Sequence, residues 1–165
     1  MKAELQTALD NTETAYSDLV SIANEIINEY SRDVNNIISN VKNNVEDLSN
    51  DDIRNVMFRL SMLSYSFGDI KEKSSLKARC AEILKEEAYA KKFNEIDGSV
   101  ALRENTALLE TSNEILAQAV YDLIASLFKV KLDEIHRVVD TLKTILTSRL
   151  QEARLNTSID NKAFD

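Results

Sequence analysis

A chain of 165 residues that is 44% hydrophobic and 29% charged is long enough to bury a core and too apolar to be intrinsically disordered. No apolar run approaches the roughly 18 residues of a membrane span, and the first residues lack the features of a signal peptide. The single cysteine, Cys80, cannot form an internal disulfide, which fits a reducing compartment. These features predict a cytoplasmic protein that does not enter a membrane.

Charge is unevenly distributed along the chain, whose net charge is −8. Residues 1–53 hold eleven acidic and three basic side chains, whereas residues 54–92 hold nine basic and five acidic ones. The simplest interpretation is a set of solvated helix faces. Alternatively, the basic middle segment binds an anionic partner, or the acidic segment covers a basic surface of this chain or of another protein.

Long helices are expected because the chain has no proline and only two glycines, Gly68 and Gly98, and little else would end a helix. Apolar residues recur at three- and four-residue steps through the first 48 residues, which predicts a helix over about 3–48. The asparagines of this segment are only moderate helix formers, so the helix should depend on packing. Its predicted stripe comprises Leu5, Leu9, Tyr16, Leu19, Ala23, Ile26, Tyr30, Val34, Ile37, Val41, Val45 and Leu48.

A second helix is predicted over about 50–96. Ser49 can cap it in a capping-box relation with Asp52, and Gly68 should weaken or kink it without ending it. Its stripe is Ile53, Val56, Leu60, Leu63, Phe67 and Ile70. Beyond Ser74-Ser75 the stripe becomes smaller and consists of Ala78, Ala81, Leu84 and Ala88.

A third helix is predicted over about 99–155, because Gly98 suits the left-handed position that ends a helix and Ser99 can cap the next one. It carries two overlapping apolar stripes, which require more than one partner helix. Residues 156–165 are polar and predict a frayed tail. The expected architecture is all-α: a single elongated domain over residues 1–155, built as a bundle or a coiled-coil hairpin with an extra N-terminal helix. Surplus apolar faces favour homo-oligomers.

Groups able to catalyse a reaction or hold a metal are scarce. His136 is the only histidine, so the paired acid-x-x-His motifs of a helical di-metal site cannot be assembled, and we expect His136 at the surface beside Asp140. Cys80 follows Arg79 without a histidine nearby in sequence, and we interpret it as a small apolar contact. No glycine-rich phosphate loop is present. We predict a protein that is not an enzyme and needs no cofactor or metal.

The basic middle of the chain is the strongest candidate site. Positive charge interleaved with aromatic rings suits single-stranded nucleic acid, because cations contact phosphates and rings stack on bases. The bland alternative is a set of solvated lysines beside the core residues Phe67 and Phe93. The residues predicted to bind nucleic acid are Lys71, Lys73, Lys77, Arg79 and Lys85.

The segment Leu76-Lys77-Ala78-Arg79 resembles the Leu-Lys-Ala-Arg element of UvsY-like phage recombination mediators. Tyr89-Ala90, followed by Gly98-Ser99-Val100-Ala101 and a long helix, resembles the layout of small helical phage proteins that act beside recombinases. The resemblance covers residues 53–155 and leaves out the first helix. It implies a non-catalytic oligomer in the host cytoplasm that binds single-stranded DNA and helps a recombinase to replace single-strand-binding protein, with Lys77 and Arg79 as the first DNA contacts.

Two other functions compete with this one. The acidic first third could dock on the basic surface of a nucleic-acid-binding protein, as an inhibitor or decoy. The long apolar stripes alone would suit a structural coiled-coil adaptor.

Overall fold

The residues that the structure describes form four α-helices. The computed structural model describes the backbone of residues 2–162 and the side chains of residue 14 and of residues 17–155. The helices are α1 (Lys2–Asn44), α2 (Asn50–Glu95), α3 (Val100–Glu110) and α4 (Ser112–Lys162). No strand occurs among the described residues, so the predicted all-α class is confirmed. Gly68 lies inside α2 and does not end it, as expected.

The start of α2 has the predicted capping box. The Asp52 backbone N–H donates to Ser49 Oγ at 3.1 Å, and the Ser49 N–H donates back to Asp52 Oδ2 at 3.1 Å. The Ser49 hydroxyl also donates to Asp52 Oδ2 at 2.6 Å. This hydroxyl contact first, and then the backbone contact, lower the pKa of the Asp52 carboxyl, because both stabilise its ionised form.

The turn between α2 and α3 also has the predicted chemistry. Gly98 has a φ of +135°, and a Cβ added there would lie 2.8 Å from Leu102 Cδ2. Both facts favour glycine at this position. Ser99 Oγ accepts a hydrogen bond from the Leu102 N–H at 3.4 Å and so caps α3.

The predicted third helix, residues 99–155, is wrong in one respect, because the chain leaves the helical path once, at Thr111. This buried residue has ψ = 17°, although its N–H still donates to the Ala107 carbonyl at 3.1 Å. The segment is therefore two helices, α3 and α4, and α4 continues to Lys162. The predicted tail, 156–165, is thus helical in its backbone as far as that residue, and residues 163–165 lie outside the described part.

The described contacts divide the chain into two compact units. The first combines residues 1–30 with 68–129, and the second combines residues 31–67 with 130–165. The prediction of one domain over residues 1–155 stays a prediction. In the first unit the buried side chains are mostly small, and Tyr30 packs edge-on to Phe128 with ring centroids 6.0 Å apart. Its buried apolar residues include Ala23, Ile27, Ala78, Ala81, Ala107, Ile124 and Phe128.

The second unit packs segments of α1, α2 and α4 around a hydrophobic core. Val41, Ile53 and Leu142 are buried at its centre. Arg149 of α4 also holds the unit together, because its guanidinium donates to three backbone carbonyls in the turn between α1 and α2. Nη2 bonds to Val45 O and Glu46 O at 3.1 Å each, and Nη1 bonds to Leu48 O. All three carbonyls lie between α1 and α2, outside both helices.

The buried seam of α1 is shifted by one residue from the predicted stripe at three points. The buried residues are Ile27, Ser31 and Ile38, whereas the stripe named Ile26, Tyr30 and Ile37. Adjacent isoleucines fit the same spacing, so the pattern alone does not choose between them. In α2, Leu84 was also predicted to pack inward and is instead 58% exposed. Leu5, Leu9 and Tyr16 lie outside the described side chains.

Candidate functional site

The five cations predicted to bind nucleic acid lie on α2 but do not share one face. An α-helix turns about 100° per residue. Lys71 and Lys85, separated by about four turns, therefore lie on one side of α2. Lys73 and Lys77, one turn apart, lie on another, and Arg79 lies on neither line. The helix thus spreads these charges around its axis.

Two of these cations form ion pairs on α2 itself. Lys71 Nζ lies 2.7 Å from Glu72 Oε1, and Lys73 Nζ lies 2.6 Å from Asp69 Oδ2. The hydrogen bond and charge of Lys71 lower the pKa of the Glu72 carboxyl. The Asp69 carboxylate raises the pKa of the Lys73 ammonium in the same way. Both cations thus carry a local counter-charge that would compete with a phosphate.

Two more of the five cations contact side chains of α4. Lys85 Nζ donates to Gln118 Oε1 at 2.9 Å. Lys77 Nζ lies 5.3 Å from the centroid of the Tyr121 ring, a distance at which a cation is attracted to the ring face. Arg79 is exposed. Four of the five predicted cations therefore already contact another group of the chain.

The aromatic residues of the basic segment are also used internally. Phe67 is 2% exposed. The Phe93 ring stacks on Tyr89 at 6.1 Å and is covered by the Arg103 guanidinium 4.1 Å from its centroid. Arg103 Nε donates in addition to the Phe93 carbonyl at 2.8 Å. Phe67 is buried in the second unit, and Phe93 is half-buried in the first, as the bland alternative expected of these two residues.

The second unit has a surface that is more continuous than the scattered cations of α2. There, α1 and α4 border a groove of about 440 Å³. Most of its apolar lining also belongs to the hydrophobic core, but Val130 is 59% exposed. Along α4 the lining extends from Val130 to Ile145, about 22 Å of helix. The apolar lining comprises Val41, Val45, Val130, Val138, Leu142 and Ile145.

The charged lining of this groove is mainly positive. Glu134 is paired with Lys131 at 2.7 Å and with Lys42 at 3.6 Å, and its pKa is lowered chiefly by the hydrogen bond from Lys131. Lys42 remains 65% exposed in this arrangement. Arg137 is exposed as well, and its Nε donates to the Asp133 carbonyl at 3.1 Å. A ligand in the groove would meet an apolar floor with two accessible cations.

The remaining reactive residues do not converge. His136 is exposed, as expected, and borders a depression of about 230 Å³ with Asp140. Asp140 forms its ion pair with Lys143 at 2.9 Å. Cys80 is exposed, so its interpretation as an apolar contact is wrong; Ala78 and Ala81 take the inward positions beside it. In the described part of the chain, no three His, Cys, Asp or Glu side chains could together hold a metal ion.

Two features of the described residues were missed by the sequence analysis. The first is Arg149, whose three carbonyl partners lie about a hundred residues away in the chain. The second is the outer side of α2, where Phe58, Met62 and Tyr65 are 66%, 55% and 77% exposed. Their spacing of four and three residues indicates one face of a helix. The inward stripe of the same helix has the same spacing, so spacing alone does not show which face is exposed.

The acidic residues of α1 lie more regularly than the cations of α2. Asp18, Glu25 and Glu29 are exposed, and their seven- and four-residue steps place them on one face. None of the three forms an ion pair with another described residue. The acidic first third therefore presents a row of carboxylates in the first unit.

Comparison of the chain with protein-family models, curated proteins and solved structures finds no match. The resemblance to UvsY-like mediators rests on the residues quoted for it alone. Within the described residues, no helix has a stretch long and apolar enough to cross a bilayer.

Proposed function

We propose that this chain is a non-catalytic helical binding module that receives an amphipathic helix of another protein in the α1–α4 groove. The observation that carries this proposal is the groove itself: an apolar floor about four turns long, with the half-exposed Val130 at its surface. A groove of this kind suits the apolar face of a helix with anchors at i, i+3, i+4 and i+7.

The charges beside the groove specify the partner further. Glu134 is paired with Lys131 at 2.7 Å, whereas Lys42, which lies 3.6 Å from the same carboxylate, and Arg137 remain accessible. Opposite charges across an interface steer association and disfavour wrong partners. The proposed partner is therefore a helix of about 15 residues with acidic side chains flanking its apolar face.

A pair of synthetic peptides tests this proposal. Both carry leucines at the anchor positions; one has glutamates beside them and the other has lysines. We expect the glutamate peptide to bind at least about tenfold more tightly in fluorescence anisotropy. Val130→Asp should abolish that binding, and Arg137→Glu should reverse the preference.

Val100→Asp in α3 is the matched control. Val100 is 60% exposed, against 59% for Val130, so the control makes the same change at equal exposure outside the groove. Failure of both peptides to bind, or equal loss of binding in both valine variants, would contradict the proposed site.

The acidic face of α1 supports a second candidate, the docking of this chain on a basic protein surface. In that case the lysine-flanked peptide would bind, and a variant with Asp18→Asn, Glu25→Gln and Glu29→Gln would lose the binding. Retention of binding in this triple variant would remove the candidate.

Single-stranded DNA binding, which the resemblance implies, is a third candidate with a separate test. A fluorescent oligonucleotide should bind at low salt and dissociate as salt rises, and Lys77→Ala with Arg79→Ala should weaken the complex. No binding at low salt would exclude a mediator of this kind, together with its proposed recombinase and single-strand-binding partners.

A further inference from the structure

The short helix α3 exposes an apolar face. Leu102, Leu108 and Leu109 are 54%, 50% and 76% exposed. At about 100° per residue, the three leucines lie within about one third of the helix circumference, and Asn105 lies at the centre of this sector. These four residues are here called the α3 face, and all of them belong to the first unit. The buried Ala107 lies on the opposite side of the helix, so the α3 face is uncovered, which is typical of an interaction surface.

Charge distinguishes the α3 face from the exposed apolar residues of α2. Those of α2, such as Phe58 and Leu76, lie within residues 54–92, which hold nine basic and five acidic side chains. Residues 93–128, which include α3, hold one basic and six acidic side chains. The α3 face is therefore an apolar surface in an acidic stretch, as the proposed partner of the α1–α4 groove requires.

One carboxylate beside the α3 face is free to meet a cation. Glu104 is exposed and forms no ion pair with another described residue, and it flanks the face one turn before Leu108. Glu110 pairs with Lys92 at 2.9 Å. The cation of α3, Arg103, lies against the ring of residue 93, with its guanidinium carbon 4.1 Å from the centroid. Glu104 is thus the carboxylate of α3 that another molecule can reach.

The charges at the α1–α4 groove are complementary to this arrangement. Lys42 and Arg137 are accessible cations of the lining. The carboxylate of the lining, Glu134, pairs with Lys131 at 2.7 Å. Glu46 follows Lys42 by one turn and is not part of the lining. A carboxylate at the edge of a docked helix would therefore meet a cation of the groove.

The α3 face also fits the groove in length and polarity. The helix has 11 residues and is about 16 Å long, against about 22 Å of lining along α4. The polar centre of the face, Asn105, has a counterpart in Thr141 of the lining. The Thr141 hydroxyl donates to the Arg137 carbonyl at 2.9 Å, so its oxygen can still accept a hydrogen bond from an amide. The three leucines are left to contact the apolar floor.

We propose that α3 of one copy of this chain occupies the α1–α4 groove of a second copy. This inference rests on the proposed function of the groove, and it names the chain itself as the source of the acidic amphipathic helix. The contact joins two different surfaces and is therefore heterologous. Such contacts repeat from copy to copy until a ring closes or an open chain extends.

Two variants remove one side of the contact each. Val130→Asp blocks the groove and leaves α3 intact, whereas Leu109→Lys places a cation in the α3 face and leaves the groove intact. Each variant alone should self-associate at least about tenfold more weakly than the wild type in sedimentation velocity. Both positions are more than half exposed, and circular dichroism should show unchanged helix content in each variant.

Mixing the two variants tests the contact directly. The intact α3 of the Val130→Asp variant should bind the intact groove of the Leu109→Lys variant. Each pair has then used its only working groove and its only working α3. The complex should therefore contain one copy of each variant and grow no further. Absence of this complex, when each variant alone has lost self-association, would overturn the proposal.

Val100→Lys is the matched control for Leu109→Lys. Val100 is 60% exposed on α3, and it lies on the side of Ala107, outside the α3 face. The control makes the same change in net charge and should self-associate like the wild type. Equal weakening in both lysine variants would assign the effect to net charge and would also overturn the proposal.

The glutamate-flanked peptide separates failure of this inference from failure of the proposed function. In excess, the peptide should dissociate the wild-type assembly, because the peptide and α3 share one groove. The peptide could instead bind to a wild-type chain that stays monomeric at every concentration, or whose assembly neither variant weakens. The groove would then serve another protein, and only this inference would be lost. If the peptide does not bind, both proposals are lost.

Discussion

Arg149 offers a direct test of how the second unit is held together. Its guanidinium makes three hydrogen bonds to the carbonyls of Val45, Glu46 and Leu48. Arg149→Met removes all three bonds and keeps an unbranched side chain of similar length, so the loss of stem packing is small. Arg149→Lys keeps the charge but can satisfy fewer of the carbonyls, because an ammonium lacks the planar fork of a guanidinium.

The size of the effect follows from the surroundings of the carbonyls. A net hydrogen bond contributes roughly 0.5–1.5 kcal/mol, and bonds to charged groups contribute more. Glu46 is exposed, so water can replace its bond, whereas Val45 and Leu48 are half-buried. At about 1 kcal/mol for each of the two half-buried bonds and less for the third, Arg149→Met should lower the free energy of unfolding by about 2–3 kcal/mol. Arg149→Lys should lower it by roughly half as much.

Urea denaturation followed by circular dichroism measures this loss. All variants are compared at one low protein concentration, because self-association would add to the apparent stability. The midpoint should fall while the slope with urea stays constant. Arg59→Met is the matched control on the exposed side of α2 and should change stability by less than about 0.5 kcal/mol. A loss of stability below about 0.5 kcal/mol in Arg149→Met would refute the reasoning. So would a free energy of unfolding for Arg149→Lys equal to that of the wild type.

Three further predictions concern the two glycines, Ser31 and Asp52. Gly68→Ala should raise the free energy of unfolding by about 0.5–1 kcal/mol, because a Cβ there meets nothing within 4 Å and alanine favours the helix; Gly98→Ala should lower the melting temperature, and stabilisation by both changes would contradict the backbone assignment. Ser31→Ala should stabilise by about 1 kcal/mol more than the control Ser39→Ala in chemical denaturation, since the buried Ser31 Oγ has no hydrogen-bond partner among the described residues. Equal effects would mean that only helix propensity is involved. Asp52→Asn should lower the melting temperature at neutral pH, and the deficit should vanish in acid. The depressed pKa of Asp52 gives stability above its unfolded pKa that is lost as pH falls through the folded pKa, so a deficit independent of pH would argue against the capping-box carboxylate.

The ends of α2 and α3 were predictable because their causes lie within four residues. Ser49 and Asp52 satisfy each other's backbone groups, and Gly98 with Ser99 stops one helix and starts the next. Any chain with these residues in this order has the same local options. The inward stripe of α2 was predictable for a related reason. Ile53, Leu60 and Phe67 recur every seven residues, close to two turns of an α-helix, and so lie on one face.

The break at Thr111 could not be predicted in this way. Its Oγ1 bonds to the carbonyl four residues earlier, at 3.0 Å. Thr141, Thr144 and Thr147 make the same bond inside α4 without interrupting it. The same threonine hydrogen bond therefore occurs both at the break and inside a continuous helix, so it does not predict where a helix breaks. We infer that the break depends on packing between distant segments.

The surroundings of the predicted cations could not be predicted from the sequence for a similar reason. The sequence shows the number of cations on α2 but not the groups that approach them from elsewhere. Lys85 meets Gln118, 33 residues away, and Lys77 meets the Tyr121 ring. The groove depends likewise on Val41 and Val138, which only the packing of α1 against α4 brings together.

The brevity of α3 has a consequence for the kinetics of the native state. Ala107 is its only buried residue, and an isolated helix of 11 residues is marginal in water. Opening α3 would therefore expose little additional apolar surface, and it should unfold on its own far more often than the whole chain does. Amide hydrogen exchange should show residues 100–110 exchanging through local openings, well before the amides of the second unit around Ile53 and Leu142.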